Sequence, residues 1–116
     1  NDSHSHAAGD AVLVTIARCL RDARRQSDVV ARLGGEEMVM LLPETTAEQA
    51  MAVCEGLRGR ISAIDWAAHG VPTRVTASVG IAVFRDNDTG AAMLQRADAA
   101  MYAAKRAGKD RVTLEI

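Results

Sequence analysis

Two apolar runs, Val29-Val30-Ala31-Arg32-Leu33 and Met38-Val39-Met40-Leu41-Leu42, flank the tetrapeptide Gly34-Gly35-Glu36-Glu37. Short apolar runs bounded by turn residues read as strands, here the two buried strands of a β-hairpin. Glycines at the connection permit positive φ and leave no Cβ to hold a ligand away from the main chain. Adjacent carboxylates at such a tip suit Mg²⁺, which takes one or two carboxylates together with phosphate oxygens of a substrate. In isolation the same four residues also describe an acidic surface turn. The rest of the chain decides between the two.

The remaining periodicity predicts helices and strands in a definite order. From Ala7 to about Arg25, the positions Val12, Ile16, Cys19, Leu20 and Ala23 form one helical stripe. After Pro43, Thr46 with Gln49 reads as the capping box of a second helix, whose stripe is Ala50, Cys54, Leu57, Ile61 and Ile64. Gly56 and Gly59 fall inside it and predict fraying or a bend. Ala67 to Thr73 is a predicted loop, with Trp66 covering the end of the second helix. Arg74 to Phe84 alternates as a strand. The cluster Asp86-Asn87-Asp88-Thr89-Gly90 supplies a turn and an N-cap for a last helix, with Leu94, Ala97, Met101 and Ala104 inward and Tyr102 in the core. Gly108 stops that helix, and Arg111 to Ile116 closes as a strand. The order is α-β-β-α-β-α-β.

With 116 residues, the chain has room for one domain with a modest core. Aromatics make up only 3%, so that core must be built from Ala, Val, Leu, Ile and Met. A formal net charge of −1 offers no electrostatic case for a nucleic-acid track or an anionic membrane surface. No 18-residue apolar run and no signal peptide are present, which makes the cytoplasm the expected location. Cys19 and Cys54 lie on apolar helix faces and read as free thiols rather than a disulfide.

Five segments, in order, resemble the GGDEF-domain family of diguanylate cyclases in its GGEEF form. They are Asn1-Asp2 with Gly9-Asp10, Arg25-Gln26-Ser27-Asp28 (R-x-x-D), Gly34-Gly35-Glu36-Glu37, Thr76-Ala77-Ser78-Val79-Gly80 (T-x-S-x-G), and the run from Ala97-Asp98 through Tyr102, Lys105 and Gly108 to Lys109. The resemblance spans nearly the whole chain. It implies an α+β, ferredoxin-like palm arrangement of the nucleotidyl-cyclase kind, a mostly antiparallel sheet with helices packed on it. The activity it implies is condensation of two GTP into cyclic di-GMP, with Mg²⁺ or Mn²⁺ as cofactor, by a homodimer covalently linked to a sensor or regulatory domain.

Residue by residue, the resemblance makes Glu36 a metal ligand and the group that helps deprotonate the attacking 3′-hydroxyl, with Glu37 supporting the same site. Gly34 and Gly35 let the triphosphate lie along the turn. Lys105 and Lys109 hold terminal phosphates, although at a helix C-terminus they also read as plain complements to the macrodipole. Lys109 stands where the family often has Arg, so a bidentate grip is lost. Asn1 and Asp10 read the guanine edge. Arg25 and Asp28 match an inhibitory product site for cyclic di-GMP, whose more distant basic position falls on Gly56, with Arg58 close by. His4 and His6 form an H-x-H that also suits a transition metal, but His6 matches a histidine with a local structural role in the family.

Two departures qualify the resemblance. Met38 replaces the family's Phe, and Ser5 its first glycine. The chain also opens inside the family's pattern, so residues 1–116 are expected to be a partial GGDEF domain. By the resemblance, the family's first strand, with an Asp that shares the metal and a Phe-Lys turn near the phosphates, is expected to lie outside these residues. The 116-residue polypeptide alone is therefore expected not to turn over GTP. A silent GGDEF module that binds GTP or cyclic di-GMP and regulates a partner domain is the alternative, and a palm-fold relative acting on another nucleotide is a third.

Overall fold

A computed structural model describes residues 2–115, with side chains from Ala7 onward. The elements are α1 (Asp2–Ala23), β1 (Val29–Gly34), β2 (Glu37–Leu41), α2 (Ala47–Ser62), a 3₁₀ turn (Trp66–His69), β3 (Ser78–Ile81), α3 (Gly90–Arg106) and β4 (Arg111–Leu114). This is the predicted order. They form two compact units, one comprising residues 1–44 and 63–75 and the other residues 45–62 and 76–116.

In the first unit, β1 and β2 pair antiparallel as the predicted hairpin, with Val29 opposite Leu41, Val30 opposite Met40 and Arg32 opposite Met38. On α1, Cys19 of the predicted stripe is buried, and so is Thr15, which lies outside that stripe. Helix α1 begins at Asp2 rather than Ala7. The strands are less buried than their composition predicts: Val29, Leu33 and Leu41 each expose more than half their surface. The cause is the narrow ribbon, since no third strand ladders with it among the described residues. The predicted loop after residue 66 begins as a 3₁₀ turn closed by Gly70 at φ 79°. Trp66 is buried, with its carbonyl accepting from Val71 N at 3.0 Å.

In the second unit, α2 opens on the predicted capping box. Thr46 N donates to Gln49 Oε1 at 3.0 Å and Gln49 N to Thr46 Oγ1 at 3.1 Å. The helix passes through Gly56 and Gly59 unbroken, because burial of Ala50, Leu57 and Ile61 outweighs two weak propensities. Thr89 caps α3 by accepting from Ala92 N at 3.0 Å. The predicted strand from Arg74 to Phe84 contracts to Ser78–Ile81, because its partner β4 is only four residues long.

Strands β3 and β4 run parallel, with Ser78 opposite Arg111 and Ile81 opposite Leu114. The hairpin is antiparallel, as the expected sheet requires, and this second pair is parallel because a helix between two laddered strands returns the chain in its original direction. Helix α3 lies directly on β3, where Gly80 makes room for it. Tyr102 is therefore not in the core. Ala100 and Ala104 occupy the seam, which puts Tyr102 on the opposite side of α3, where it is 61% exposed under the Arg106 guanidinium. Arg96 ties the unit's far end together, donating to Glu115 Oε1 at 2.9 Å, to Val83 O at 3.1 Å and to Asp88. Both cysteines are free, and burial pushes the Cys54 thiol up.

Candidate functional site

Gly34 pairs with Glu37 across the ladder, leaving Gly35-Glu36 as a two-residue hairpin turn. Gly34 takes φ 155° and Gly35 φ 52°, while Glu36 has negative φ. Positive φ at the first central position alone is the φ pattern of a II′ turn, which favours glycine there. The register slips between Arg32 and Gly34, so Leu33 is a bulge residue without a cross-strand partner. The tip residues Gly34, Gly35, Glu36 and Glu37 are all exposed.

Arg32 braces this turn from below. Its Nε donates to Gly35 O at 2.9 Å. A trans peptide points its C=O and N–H in opposite directions. Anchoring the Gly35 carbonyl on a guanidinium therefore turns the Glu36 N–H away from Arg32, as a donor at the exposed tip. The sequence reading missed Arg32 as a brace for the turn.

Beside the hairpin, a groove of about 490 Å³ lies between α1 and β1, lined by Leu13, Val14 and Ala17 on the helix and by Val30, Ala31 and Met38 on the ribbon. Arg21, Arg24 and Arg32 line it as well. It is an open surface depression, and two of its arginines are engaged with main-chain carbonyls, Arg24 with Asp28 O at 2.6 Å and Arg32 with Gly35 O. Asp10 is exposed and sits one turn upstream on the same helix face as Leu13, Val14 and Ala17. Met38, standing where Phe was expected, packs as a groove wall. Arg21 and Arg24 continue the stripe Asp10, Leu13, Val14, Ala17 at helical spacing, a pattern the sequence reading passed over.

Arg25 and Asp28 come together, but chiefly with each other. Arg25 N donates to Asp28 Oδ2 at 2.8 Å and its guanidinium to Asp28 Oδ1 at 2.9 Å and to Pro43 O at 3.1 Å. Asp28 is 2% exposed. Hydrogen bonds from the Arg25 side chain and backbone hold the Asp28 carboxyl below its usual range. A carboxyl depressed on folding stabilises above its unfolded pKa of about 3.9, and that contribution is lost as pH falls through the folded value. Asp28 thus orients Arg25, whose side chain remains half exposed.

Lys105 is exposed in the last turn of α3 and Lys109 is exposed in the turn that leads to β4. Both belong to the second unit and the hairpin to the first. Asn1 and the side chains of His4 and His6 lie outside the described residues. Arg58, expected near the product site, instead pairs with Glu55 at 2.5 Å and with Asp110 at 2.8 Å. Among the described residues no three His, Cys, Asp or Glu side chains gather as a metal cluster. The donors the hairpin offers are hard carboxylate oxygens, which fit a small divalent cation that completes its shell with phosphate and water.

A glycine turn presenting carboxylates on a β-ribbon, with a groove between that ribbon and α1, and a strand–helix–strand unit make this an α+β chain. The chain belongs to the GGDEF family: the profile described as "Diguanylate cyclase, GGDEF domain" matches residues 1–111. It is 48% identical over 112 residues to the diguanylate cyclase DgcP of Pseudomonas aeruginosa, covering 97% of this chain and 17% of that protein. Diguanylate cyclase A of Treponema denticola is 38% identical over 115 residues, 98% of this chain and 31% of that protein. The crystal structure of the GGDEF domain of DgcB from Caulobacter crescentus, in complex with c-di-GMP, is similar with a TM-score of 0.89 at 31% identity, covering 99% of this chain and 69% of that one. The chain therefore spans between about a sixth and a third of the length of these curated relatives. No helix among the described residues is long and apolar enough to cross a membrane.

Proposed function

We propose that residues 1–116 form part of the GGDEF domain of a diguanylate cyclase, which joins two GTP molecules into cyclic di-GMP. The observation that carries this reading is the glycine turn: it exposes the Glu36 carboxylate and a main-chain N–H beside an open groove lined in part by arginines. Each half-reaction forms a bond from a ribose 3′-oxygen to the α-phosphorus of the other GTP. The α–β phosphoanhydride bond breaks, pyrophosphate leaves with the electron pair, and the 3′-hydroxyl proton passes to Glu36 or to solvent. Transfers of this kind depend on positioning and charge neutralisation more than on covalent catalysis.

The roles divide among the chain's own residues. Glu36 faces the attacking hydroxyl, and Gly34 and Gly35 admit the triphosphate to the backbone. Asp10 and Asn1 bind the guanine edge, and Lys105 and Lys109 hold terminal phosphates. Mg²⁺ or Mn²⁺, held by Glu36 with Glu37 in support, would neutralise charge on the phosphates. Two substrates must meet, one per domain, which supports a homodimer. Relatives several times longer than this chain support covalently linked regulatory domains, and GTP as substrate supports a cytoplasmic location. Arg25, oriented by Asp28, is the arginine through which cyclic di-GMP would inhibit.

The test is turnover. Full-length protein incubated with GTP and Mg²⁺ is expected to release pyrophosphate and cyclic di-GMP in a 2:1 ratio, read by chromatography. Binding of GTP without either product would overturn the enzymatic reading in favour of a silent module.

A further inference from the structure

We infer that Arg58 is a positioning residue for Lys109, acting through Asp110. The inference rests on the reading of Lys109 as a phosphate ligand. It draws on a place where the backbone departs from ordinary preference. After α3 the chain turns through three consecutive positive-φ residues, Gly108 at 125°, Lys109 at 63° and Asp110 at 46°. Glycine adopts such a conformation freely. Lysine is disfavoured there, and aspartate tolerates it better but still sparsely. Two such residues in succession persist only where the surroundings determine them.

Those surroundings can be named. Lys109 N donates to Ala104 O at 3.0 Å, and Lys109 O accepts from Arg111 Nε at 3.1 Å. Asp110 Oδ1 accepts from Arg58 at 2.8 Å, a contact that reaches from the middle of α2. Arg58 is itself held on its helix by Glu55, through Nε at 2.9 Å. Its side chain is 22% exposed and that of Asp110 30%. The first two hydrogen bonds are local to the turn. Among these contacts the Arg58–Asp110 pair is the one that reaches from α2, and so it helps hold the turn carrying Lys109 against that helix.

Position matters because of what a lysine is. Its ammonium is a point charge on a flexible stem, without the planar fork that lets an arginine register itself on a phosphate. A lysine at this site gains its directional precision from the backbone that carries it. A guanidinium–carboxylate pair one residue away supplies that anchoring, and it removes Arg58 from any role as a free basic group for a product site.

A double-mutant cycle decides the matter. Binding of Mg²⁺ and a GTP analogue with a methylene α–β bridge is measured calorimetrically on full-length protein and on Lys109→Ala, Arg58→Met and their combination. Lys109→Ala is expected to weaken binding about 10-fold and Arg58→Met about 3- to 5-fold, with the double variant within about twofold of Lys109→Ala alone. Asp110→Gly removes the carboxylate and relieves its backbone strain, and is expected to behave like Arg58→Met in the same cycle. If Arg58→Met weakens binding by the same factor with and without Lys109, the positioning role fails while Lys109 keeps its phosphate. If Lys109→Ala alone leaves binding unchanged, the phosphate reading fails and the positioning role with it.

Discussion

Gly80→Ala should strip α3 from β3 and lower the thermal midpoint of the domain by roughly 10 °C or more. A Cβ built at Gly80 would lie 2.1 Å from Ala97 O, 2.2 Å from Met101 N and 2.9 Å from Ala100 C. All three are backbone atoms, so no side-chain rotation relieves the overlap and the helix must lift as a body. The seam it would leave holds Ile81, Ala100 and Ala104, the last with no exposed surface. Overpacking by one methyl commonly costs about 1–3 kcal/mol, and an overlap with main chain belongs at or above the top of that range. For a domain of this size each kcal/mol lowers the midpoint by several degrees. Gly59→Ala is the control within the same unit. Nothing lies within 4 Å of its added Cβ, and it sits inside α2, so it should gain about 0.5–1 kcal/mol. Circular dichroism melts of both variants check the pair. An unchanged midpoint for Gly80→Ala would show that α3 is not seated on β3.

Glu36→Gln should abolish product formation while leaving the fold intact. The side chain is exposed at the second central position of the turn and Gln has the same shape, so the melting curve should not move. What changes is charge: an amide cannot take the 3′-hydroxyl proton and is a poor ligand for a hard cation. Loss of a positioned base alone lowers rates by about 10²–10⁴-fold. The combined loss should reach at least about 10³-fold in the rate of cyclic di-GMP formation, measured at saturating GTP. A variant retaining activity within a few-fold of the parent would remove Glu36 from the chemistry.

Much of this architecture was legible in the residues because the signals were local. Thr46 with Gln49, Thr89 before Ala92, and glycines at 34, 35 and 108 each encode a cap or turn within four positions, and each appears where predicted. The features that escaped depend on distant neighbours. The length of β3 is set by β4, thirty residues on. The exposure of Tyr102 follows from Gly80 drawing the opposite side of α3 onto the sheet. The engagement of Arg58 with Asp110, fifty-two residues apart, left no trace in spacing. Arg32 at the turn is the intermediate case. Its contact is local, but a lone arginine on a strand gives no hint that its side chain will reach across a bulge to the carbonyl three residues on.

The most direct measurement is a crystal structure of the full-length protein with Mg²⁺ and the methylene-bridged GTP analogue. A cation with a Glu36 carboxylate oxygen at about 2.1 Å is expected, with phosphate oxygens against the main-chain N–H groups of the Gly35-Glu36 turn. A bound nucleotide whose phosphates and cation leave that turn untouched would contradict the assignment.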